Sequence, residues 1–255
     1  MKVNELAEIL ENVNLATDIF SMTIKTGAAE FAIPGQFMSL YLDDESRKLP
    51  RPISICGIDK ENGTIRMVYR IAGEGTKQLS QMSAGDKIKV LGPLGNGFSD
   101  IDKYENPMVV GGGIGIPPML GLAKALPKNV MAVLGYRSDE TFLSEEFIDC
   151  ADTYLASDDG SVGVHGTVVD AIKEYDLKPD VIFACGPKPM LKGLAALADS
   201  MSIPCYISME EKMACGIGAC LGCVCQSTEV DDHSKVTNKR ICKDGPVFLS
   251  TEVQL

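Results

Sequence analysis

The chain has no tryptophan, two histidines and few aromatic residues. With only His165 and His233 available, neither a histidine-rich metal site nor a multi-histidine acid–base centre is expected. Positive charge is also scarce: 24 Lys and Arg stand against 35 Asp and Glu, a formal net charge of −11. Nucleic acid and anionic membranes reward clustered Lys and Arg, so neither is expected as a partner. Long hydrophobic runs are missing too. The longest charge-free stretch, 106–123, approaches the length of a membrane helix but holds Pro107, Pro117, Pro118 and five glycines. It reads as a turn between a strand and a helix. The opening MKVNELAEILENVN is acidic where a secretory leader needs a basic end and an apolar run, so a cytoplasmic protein is expected. Apolar residues at 45% exclude a disordered chain. G-x-S-x-G, H-E-x-x-H and Cys–His–Asn patterns are missing, which argues against a hydrolase.

What the chain does have is cysteine, nine in all and unevenly spread. An odd count without a leader does not suit a disulfide framework. Cys56, Cys150, Cys185 and Cys205 are scattered, whereas Cys215, Cys220, Cys223, Cys225 and Cys242 crowd the C-terminal segment. Clustered cysteines in an intracellular chain more often bind metal.

The hydrophobic rhythm divides the chain into three zones. Over 1–100 short segments alternate with period two: Met22–Lys25, Phe37–Leu42, Ile65–Ile71 and Lys87–Val90. In the third, Ile65, Met67, Tyr69 and Ile71 share one face and Arg66 and Arg70 the other. This pattern predicts a small antiparallel barrel. Over 101–209 short buried strands alternate with helices. Strands are expected at Met108–Val110, Val130–Leu134, Thr153–Ala156, Asp180–Ala184 and Cys205–Ser208, and helices at Pro118–Leu126, Glu140–Cys150, Thr167–Tyr175 and Met190–Ser200. Such alternation predicts a doubly wound parallel sheet. The remaining 210–255 is rich in Cys and Gly, lacks a strong period and is too short to bury a core of its own.

In that segment Cys215-x4-Cys220-x2-Cys223 is followed at a distance by Cys242, the spacing of plant-type [2Fe–2S] sites. Interspersed glycines let the backbone wrap closely, so that amide N–H groups can point at sulfur. A structural zinc site on Cys220-x2-Cys223 plus two others is the alternative, and Cys225 competes with Cys242 as fourth ligand. Gly111-Gly-Gly-Ile-Gly115 sits after a strand and before a helix, with Pro118 where the usual dinucleotide fingerprint has its third glycine. It reads either as a cradle for a pyrophosphate or as a packing turn. Cys185-Gly186-Pro187 closes another strand at the carboxyl edge of the sheet, where ligands bind; a small buried thiol is the plainer account of Cys185. Asp158-Asp159 and Asp231-Asp232 look like paired acids but sit in loop-like sequence, so solvated turns are expected; His165 and His233 are read as loop residues.

Pro34-Gly-Gln-Phe37, Arg51-Pro-Ile-Ser54, Gly73-Glu-Gly-Thr76, Gly111–Gly115 and Ala184-Cys-Gly-Pro187 together resemble the flavin-dependent ferredoxin reductase superfamily. With Met213-Ala-Cys-Gly-Ile-Gly-Ala-Cys-Leu-Gly-Cys223 added, the chain from about 5 to 250 resembles the electron-transfer subunits of bacterial dihydroorotate dehydrogenase B. The resemblance implies a flavin-binding antiparallel barrel over 1–100, a nicotinamide-binding α/β domain over 101–209 and a short iron–sulfur lobe over 210–255. It implies FAD held by Arg51, Pro52, Ile53 and Ser54, with Arg51 on the pyrophosphate and Ser54 at the ring edge. Val68, Tyr69 and Arg70 would line the ring and ribityl region, and Gly75 and Thr76 would bind phosphate. Ile53 stands where many relatives have a tyrosine that stacks on the flavin. NAD would approach Gly111, Gly112, Gly113, Gly115, Cys185 and Gly186, and the cluster would sit on Cys215, Cys220, Cys223 and Cys242. NAD rather than NADP follows from the resemblance alone: Asp158 and Asp159 would repel a 2′-phosphate, whereas Arg137 could attract one. The implied partner is an FMN-containing catalytic subunit that oxidises dihydroorotate, in a heterotetramer with two of each chain serving pyrimidine biosynthesis. Sister reductases are the first competing reading: the small subunit of an NADH-dependent ferredoxin:NADP oxidoreductase, or a sulfide dehydrogenase. A zinc-clipped, non-catalytic interaction subunit is the second.

Overall fold

Alternating apolar residues close the first part of the chain into a barrel. Its strands are β1 (Val3–Ala16), β2 (Ile19–Lys25), β3 (Phe37–Tyr41), β4 (Arg51–Asp59), β5 (Thr64–Arg70) and β6 (Lys87–Leu94), in the closed order β1-β2-β5-β4-β3-β6. Ile9, Met22, Met38, Leu40, Ile65, Met67 and Tyr69 fill its interior, as the period-two reading of Ile65–Tyr69 requires. The computed structural model describes residues 1–43, 48–127, 129–230 and 236–255, so Asp231, Asp232 and His233 lie outside the described residues. Strand β1 has no counterpart in the sequence reading: only Ala7 and Ile9 of it are fully buried, and glutamates at 5, 8 and 11 mask the alternation. A short helix, α1 (Glu74–Ser80), lies between β5 and β6.

The middle of the chain forms β7 (Pro107–Gly112), α2 (Ile116–Ala125), β8 (Met131–Tyr136), α3 (Ser144–Ile148), β9 (Asp152–Ser157), β10 (Val164–His165), α4 (Val168–Glu174), β11 (Val181–Cys185), α5 (Lys188–Met201) and β12 (Cys205–Ser208). These strands run parallel in the order β10-β9-β8-β7-β11-β12. The chain winds from β7 toward β10, then returns to place β11 on β7's other side. The two hydrogen-bond with Gly111 opposite Cys185, so the switch point lies between the glycine turn and the Cys185–Pro187 turn. Two local expectations are corrected. The helix expected from Glu140 shrinks to Ser144–Ile148, because Leu143 adopts φ 68° and the preceding residues turn. His165 joins β10 rather than a loop, opposite Ser157.

The C-terminal segment contributes β13 (Val224–Gln226), β14 (Asn238–Arg240) and β15 (Val247–Leu249). β13 and β14 pair with each other, while β15 adds to the large sheet as a seventh, antiparallel strand beside β12. Asn96, just past the barrel, fixes this segment: its Nδ2 donates to the Val247 carbonyl at 2.7 Å and its Oδ1 accepts from the Val247 N–H at 3.0 Å. Cys223, Cys225, Ile241 and Cys242 share one buried cluster with Phe37 and Leu94 of the barrel and Ile207 of the sheet. The segment borrows a core from both neighbours.

Barrel and sheet are joined by α2. A Cβ at Gly121 would lie 2.6 Å from the Cys56 carbonyl oxygen, so helix and β4 are in backbone contact. Beside this seam Arg66 of β5 meets Glu146 of α3 at 2.7 Å, and Lys124 of α2 meets the same carboxylate at 2.8 Å. Burial alone would raise the Glu146 pKa, but hydrogen bonds from Lys124 and Arg66 outweigh it and hold it below the ordinary 4.5. A depressed folded-state pKa stabilises above the unfolded value and stops doing so as pH falls through the folded one. Glu146→Gln is therefore expected to lower the melting temperature at pH 7, with the difference from wild type closing below about pH 4.5. Thermal melts of both proteins across pH 3–8 check this.

Candidate functional site

A seam in the barrel defines the first part of the site. The ladder between β4 and β5 ends at Ile55 opposite Met67. Beyond that point Arg51–Ser54 pair only with β3, and Val68–Arg70 pair only with β2. Among the described residues, two strand edges thus face each other with no ladder between them, Arg51–Ser54 half-buried and Val68 and Tyr69 buried. Pro52 fits such an edge because it has no N–H to lose. The predicted residues Arg51, Pro52, Ile53, Ser54, Val68 and Arg70 all border this opening. Tyr69 does so only through its backbone: its ring is buried in the barrel, stacked 6.0 Å from Phe20, with its hydroxyl donating to Asn12 at 3.1 Å. Ile53 brings no aromatic ring to the seam.

One end of the seam gathers positive charge. The Arg51 guanidinium lies directly against Gly75, where any side chain would overlap it, and Arg51 also donates to the Leu49 carbonyl. The Thr76 hydroxyl is spent locally, accepting from the amides of Ala72 at 2.9 Å and Gly73 at 3.2 Å. It shapes the turn that presents Gly75, leaving its backbone rather than its hydroxyl for any phosphate. Arg70 approaches from β5, its Nη2 3.8 Å from where a Cβ on Gly113 would lie. Barrel and glycine turn therefore meet at Arg70, while Arg51 stands against Gly75; a guanidinium is a donor suited to a diphosphate.

The glycine turn is built for close approach as well. A Cβ on Gly115 would overlap the Cys185 carbonyl, and one on Gly112 would lie 2.5 Å from Met190 Sδ. Gly111, Gly112, Gly113 and Gly115 thus stand beside Cys185 and Gly186, and both turns open at the same edge. The pyrophosphate and packing accounts of this turn are compatible: Gly115 packs on Cys185 while Gly113 faces Arg70. Burial pushes the Cys185 thiol up to about 12 against a hydrogen bond from Ser208, so it stays protonated. Asp159 is occupied in its own turn, accepting from the Ser161 N–H at 2.9 Å and hydroxyl at 2.6 Å. Arg137 is exposed.

The four spaced cysteines form the third part. Main-chain N–H groups point at each sulfur: Gly218 to Cys242 at 3.0 Å, Ala219 to Cys215 at 3.3 Å, Gly222 to Cys220 at 3.4 Å and Cys242 to Cys223 at 3.4 Å. Cys215 interacts with Cys220, and Cys223 with Cys242. Burial would raise Cys215, but the amides of Ile217, Cys220 and Ala219 and the Cys220 thiol bring it down to about 6. Cys242 goes the other way, to about 12, through burial and its Cys223 neighbour. Among the described residues no three His, Cys, Asp or Glu side chains converge as a single-ion site. Two thiol pairs fit a two-iron cluster better than the tetrahedron zinc requires. Cys225 is buried on β13, its charged neighbours being Glu211 and Lys188 rather than the other thiols. Arg240 braces the loop, donating to the Gly218 carbonyl at 3.2 Å while its Nε meets Asp244 at 3.0 Å. Sequence reasoning missed Arg240, Asn96 and the seam itself, because each depends on strands distant in the chain.

Gly115→Ala is expected to cost about 1–3 kcal/mol by forcing the two turns apart. A lower melting temperature together with weakened NADH oxidation, at unchanged bound flavin, is the expected outcome.

Residues 5–98 match the oxidoreductase FAD-binding domain, and 210–254 match the iron-sulfur cluster binding domain of dihydroorotate dehydrogenase B. Among solved structures, one of an NADH-dependent reduced ferredoxin-NADP oxidoreductase is 32% identical with a TM-score of 0.87, covering 100% of this chain and 91% of that one. A ferredoxin reductase of carbazole 1,9a-dioxygenase, 18% identical with a TM-score of 0.68 over 81% and 69% of the two chains, shares the fold. The chain is 44% identical to the electron transfer subunit of dihydroorotate dehydrogenase B (NAD(+)) from Bacillus pumilus, over 97% of this chain and 96% of that protein. With the Fusobacterium nucleatum subunit of the same name it shares 40% identity over the whole of both. At that likeness and coverage, the chain belongs to the family of electron transfer subunits of NAD-dependent dihydroorotate dehydrogenase B.

Proposed function

We propose that the chain carries electrons from an FMN-containing dihydroorotate dehydrogenase catalytic subunit to NAD⁺, in a cytoplasmic heterotetramer with two of each subunit, as a step of de novo pyrimidine biosynthesis. The observation that carries this reading is the adjacency of the three parts of the site. The cysteine loop packs on the outer face of β3, β3 pairs with the seam strand β4, and Arg70 of the seam's other bank reaches the glycine turn. An iron–sulfur cluster supplies one-electron transfer and FAD supplies exchange between single electrons and hydride, so the pair links a flavin dehydrogenase to a nicotinamide.

The chain's own residues bind and position. Arg51 pairs with the FAD diphosphate, and Gly75 lets its guanidinium sit close. The main-chain edges Arg51–Ser54 and Val68–Arg70 orient the ring, Arg70 adding charge near the diphosphate. Gly111, Gly112, Gly113 and Gly115 with Cys185 and Gly186 receive NAD, the neutral Cys185 thiol adding no charge beside it. Cys215, Cys220, Cys223 and Cys242 hold the cluster. Cys220 is exposed, and Ile217 and Leu221 beside it are 48% and 64% exposed. This apolar rim around an exposed ligand is where the catalytic subunit docks. Two single electrons leave as hydride only with one proton, which solvent would supply, so no side chain of this chain is assigned as acid or base.

The likeness to the NADH-dependent reduced ferredoxin-NADP oxidoreductase structure favours a second reading, in which the chain is the small subunit of such a reductase. Anaerobic reconstitution with the catalytic subunit of the same source separates the two. Dihydroorotate-dependent NADH formation requiring both chains is expected; its absence, with NADH-to-dye activity intact, would transfer the chain to the sister enzyme.

Cys220→Ser is expected to lose iron and acid-labile sulfide and to abolish the coupled reaction, while NADH-to-dye transfer through FAD survives. Retained coupling would remove Cys220 from the ligand set. Arg51→Ala removes charge-assisted hydrogen bonds worth about 1.5–3 kcal/mol, so FAD retention should weaken roughly 10- to 100-fold. Flavin content after gel filtration measures it.

A further inference from the structure

Ser39 lies on the outward face of β3 and is fully buried. Its hydroxyl is the one buried side-chain oxygen or nitrogen among the described residues that has no hydrogen-bond partner. A buried hydroxyl without a partner costs stability, and alanine would fill the same place without that cost. The space alone therefore does not explain a serine.

Its surroundings point to a ligand. Ser39 Oγ lies 2.9 Å from the point where a Cβ on Gly216 would be, with Leu94 and Phe37 closing the same spot. Gly216 follows Cys215 and adopts φ 68°, so the hydroxyl occupies room that a side chain in the cysteine loop would need. On the barrel side Ser39 stands opposite Pro52, which has no N–H, and the β3–β6 register slips between Phe37 and Ser39. Such a slip re-aims a strand residue. Ser39 thus stands on the single strand that separates the flavin seam from the thiols.

We infer that Ser39 donates a hydrogen bond to a sulfur at the Cys215 end of the iron–sulfur cluster and raises the cluster's reduction potential. The inference rests on the cluster assignment made above. Added electron density on the cluster falls largely on sulfur, so a donor there stabilises the reduced state more than the oxidised one. The four main-chain amides already aimed at the thiols supply the same kind of contact, and Ser39 adds a side-chain donor on the flavin-facing side.

The test uses the full chain with its cofactors, as wild type, Ser39→Ala and Ser39→Thr. Iron and acid-labile sulfide are measured first, then the cluster is titrated by the electron paramagnetic resonance of its reduced form and the flavin by absorbance. Ser39→Ala is expected to keep wild-type iron and sulfide. Its ratio of reduced to oxidised cluster at a fixed ambient potential should fall about tenfold, a shift of roughly 59 mV for one electron. Ser39→Thr, which keeps the hydroxyl, should titrate with wild type, and the flavin potential should not move. An unchanged cluster potential in Ser39→Ala would overturn the inference. So would equal shifts in both variants, which would mark a space-filling role, or a shift confined to the flavin. Failure of the ligand assignment reads out separately, as iron retained in Cys220→Ser.

Discussion

The β4–β5 ladder of the closed barrel stops at Ile55 and Met67, so that among the described residues Arg51–Ser54 and Val68–Arg70 are not paired with each other, and the glycine turn and the cysteine segment lie on either side of that opening. A strand edge buried without partners costs about 1–3 kcal/mol for each polar group left unmade, so the edges persist only where water or a ligand can reach them. Pro52 brings no N–H to either neighbouring strand, and the run Arg51–Ser54 is half-buried, which keeps the opening at the surface. Behind it, β3 gives its inner residues Met38 and Leu40 to the barrel core and its outer residue Phe37 to the cysteine segment. Before it, Arg70 reaches the turn after β7. One incomplete ladder therefore brings the seam, the glycine turn and the cysteine segment into a single neighbourhood.

The C-terminal segment shows how a short chain is held without a core of its own. β15 takes its hydrogen bonds from β12, Asn96 clamps Val247 from the barrel side, and Phe248 packs with Ile207 and Cys242. Within this frame the thiols divide into an outer pair that water can reach and an inner pair that it cannot. The amides around Cys215 favour its thiolate, whereas burial keeps Cys242 neutral well past physiological pH. Metal ligation ionises both, and the aimed N–H groups then carry part of the negative charge that burial penalises. The loop is thus shaped for anionic sulfur before a metal is considered.

Much of this was readable from the sequence because it rests on local rules. The alternation at Ile65–Tyr69 follows from a two-residue repeat, the glycine turn from its place between strand and helix, and the cysteine spacing from the geometry of one loop. What escaped depends on contacts between distant residues. β1 was hidden by its glutamates, and β15 is three residues whose strand character comes from β12. Tyr69 follows its period inward, which leaves only its backbone at the seam, although the resemblance placed it against the flavin. Thr76 looked like a phosphate ligand, yet its hydroxyl is committed to two neighbouring amides. In both cases a motif names the residue while packing decides which of its atoms are left exposed to a neighbour.

The buried ionisable groups point to the kind of chemistry the fold supports. Desolvation pushes Cys56 and Cys205 to about 12, as it does Cys185, and Tyr69 also to about 12, while Tyr136 rises by the same cause. Each is therefore neutral throughout the range in which a cell operates. The charged residues near the joint are locked instead in a fixed arrangement, Arg66 and Lys124 on Glu146. A chain that must receive single electrons and deliver hydride gains from that constancy, because a titrating neighbour would shift the potential of a nearby cofactor with pH. Among the described residues, none of these buried thiols and phenols offers a proton at cellular pH. The scarcity of histidine that first narrowed the reading of this sequence is the same fact seen from the side of composition.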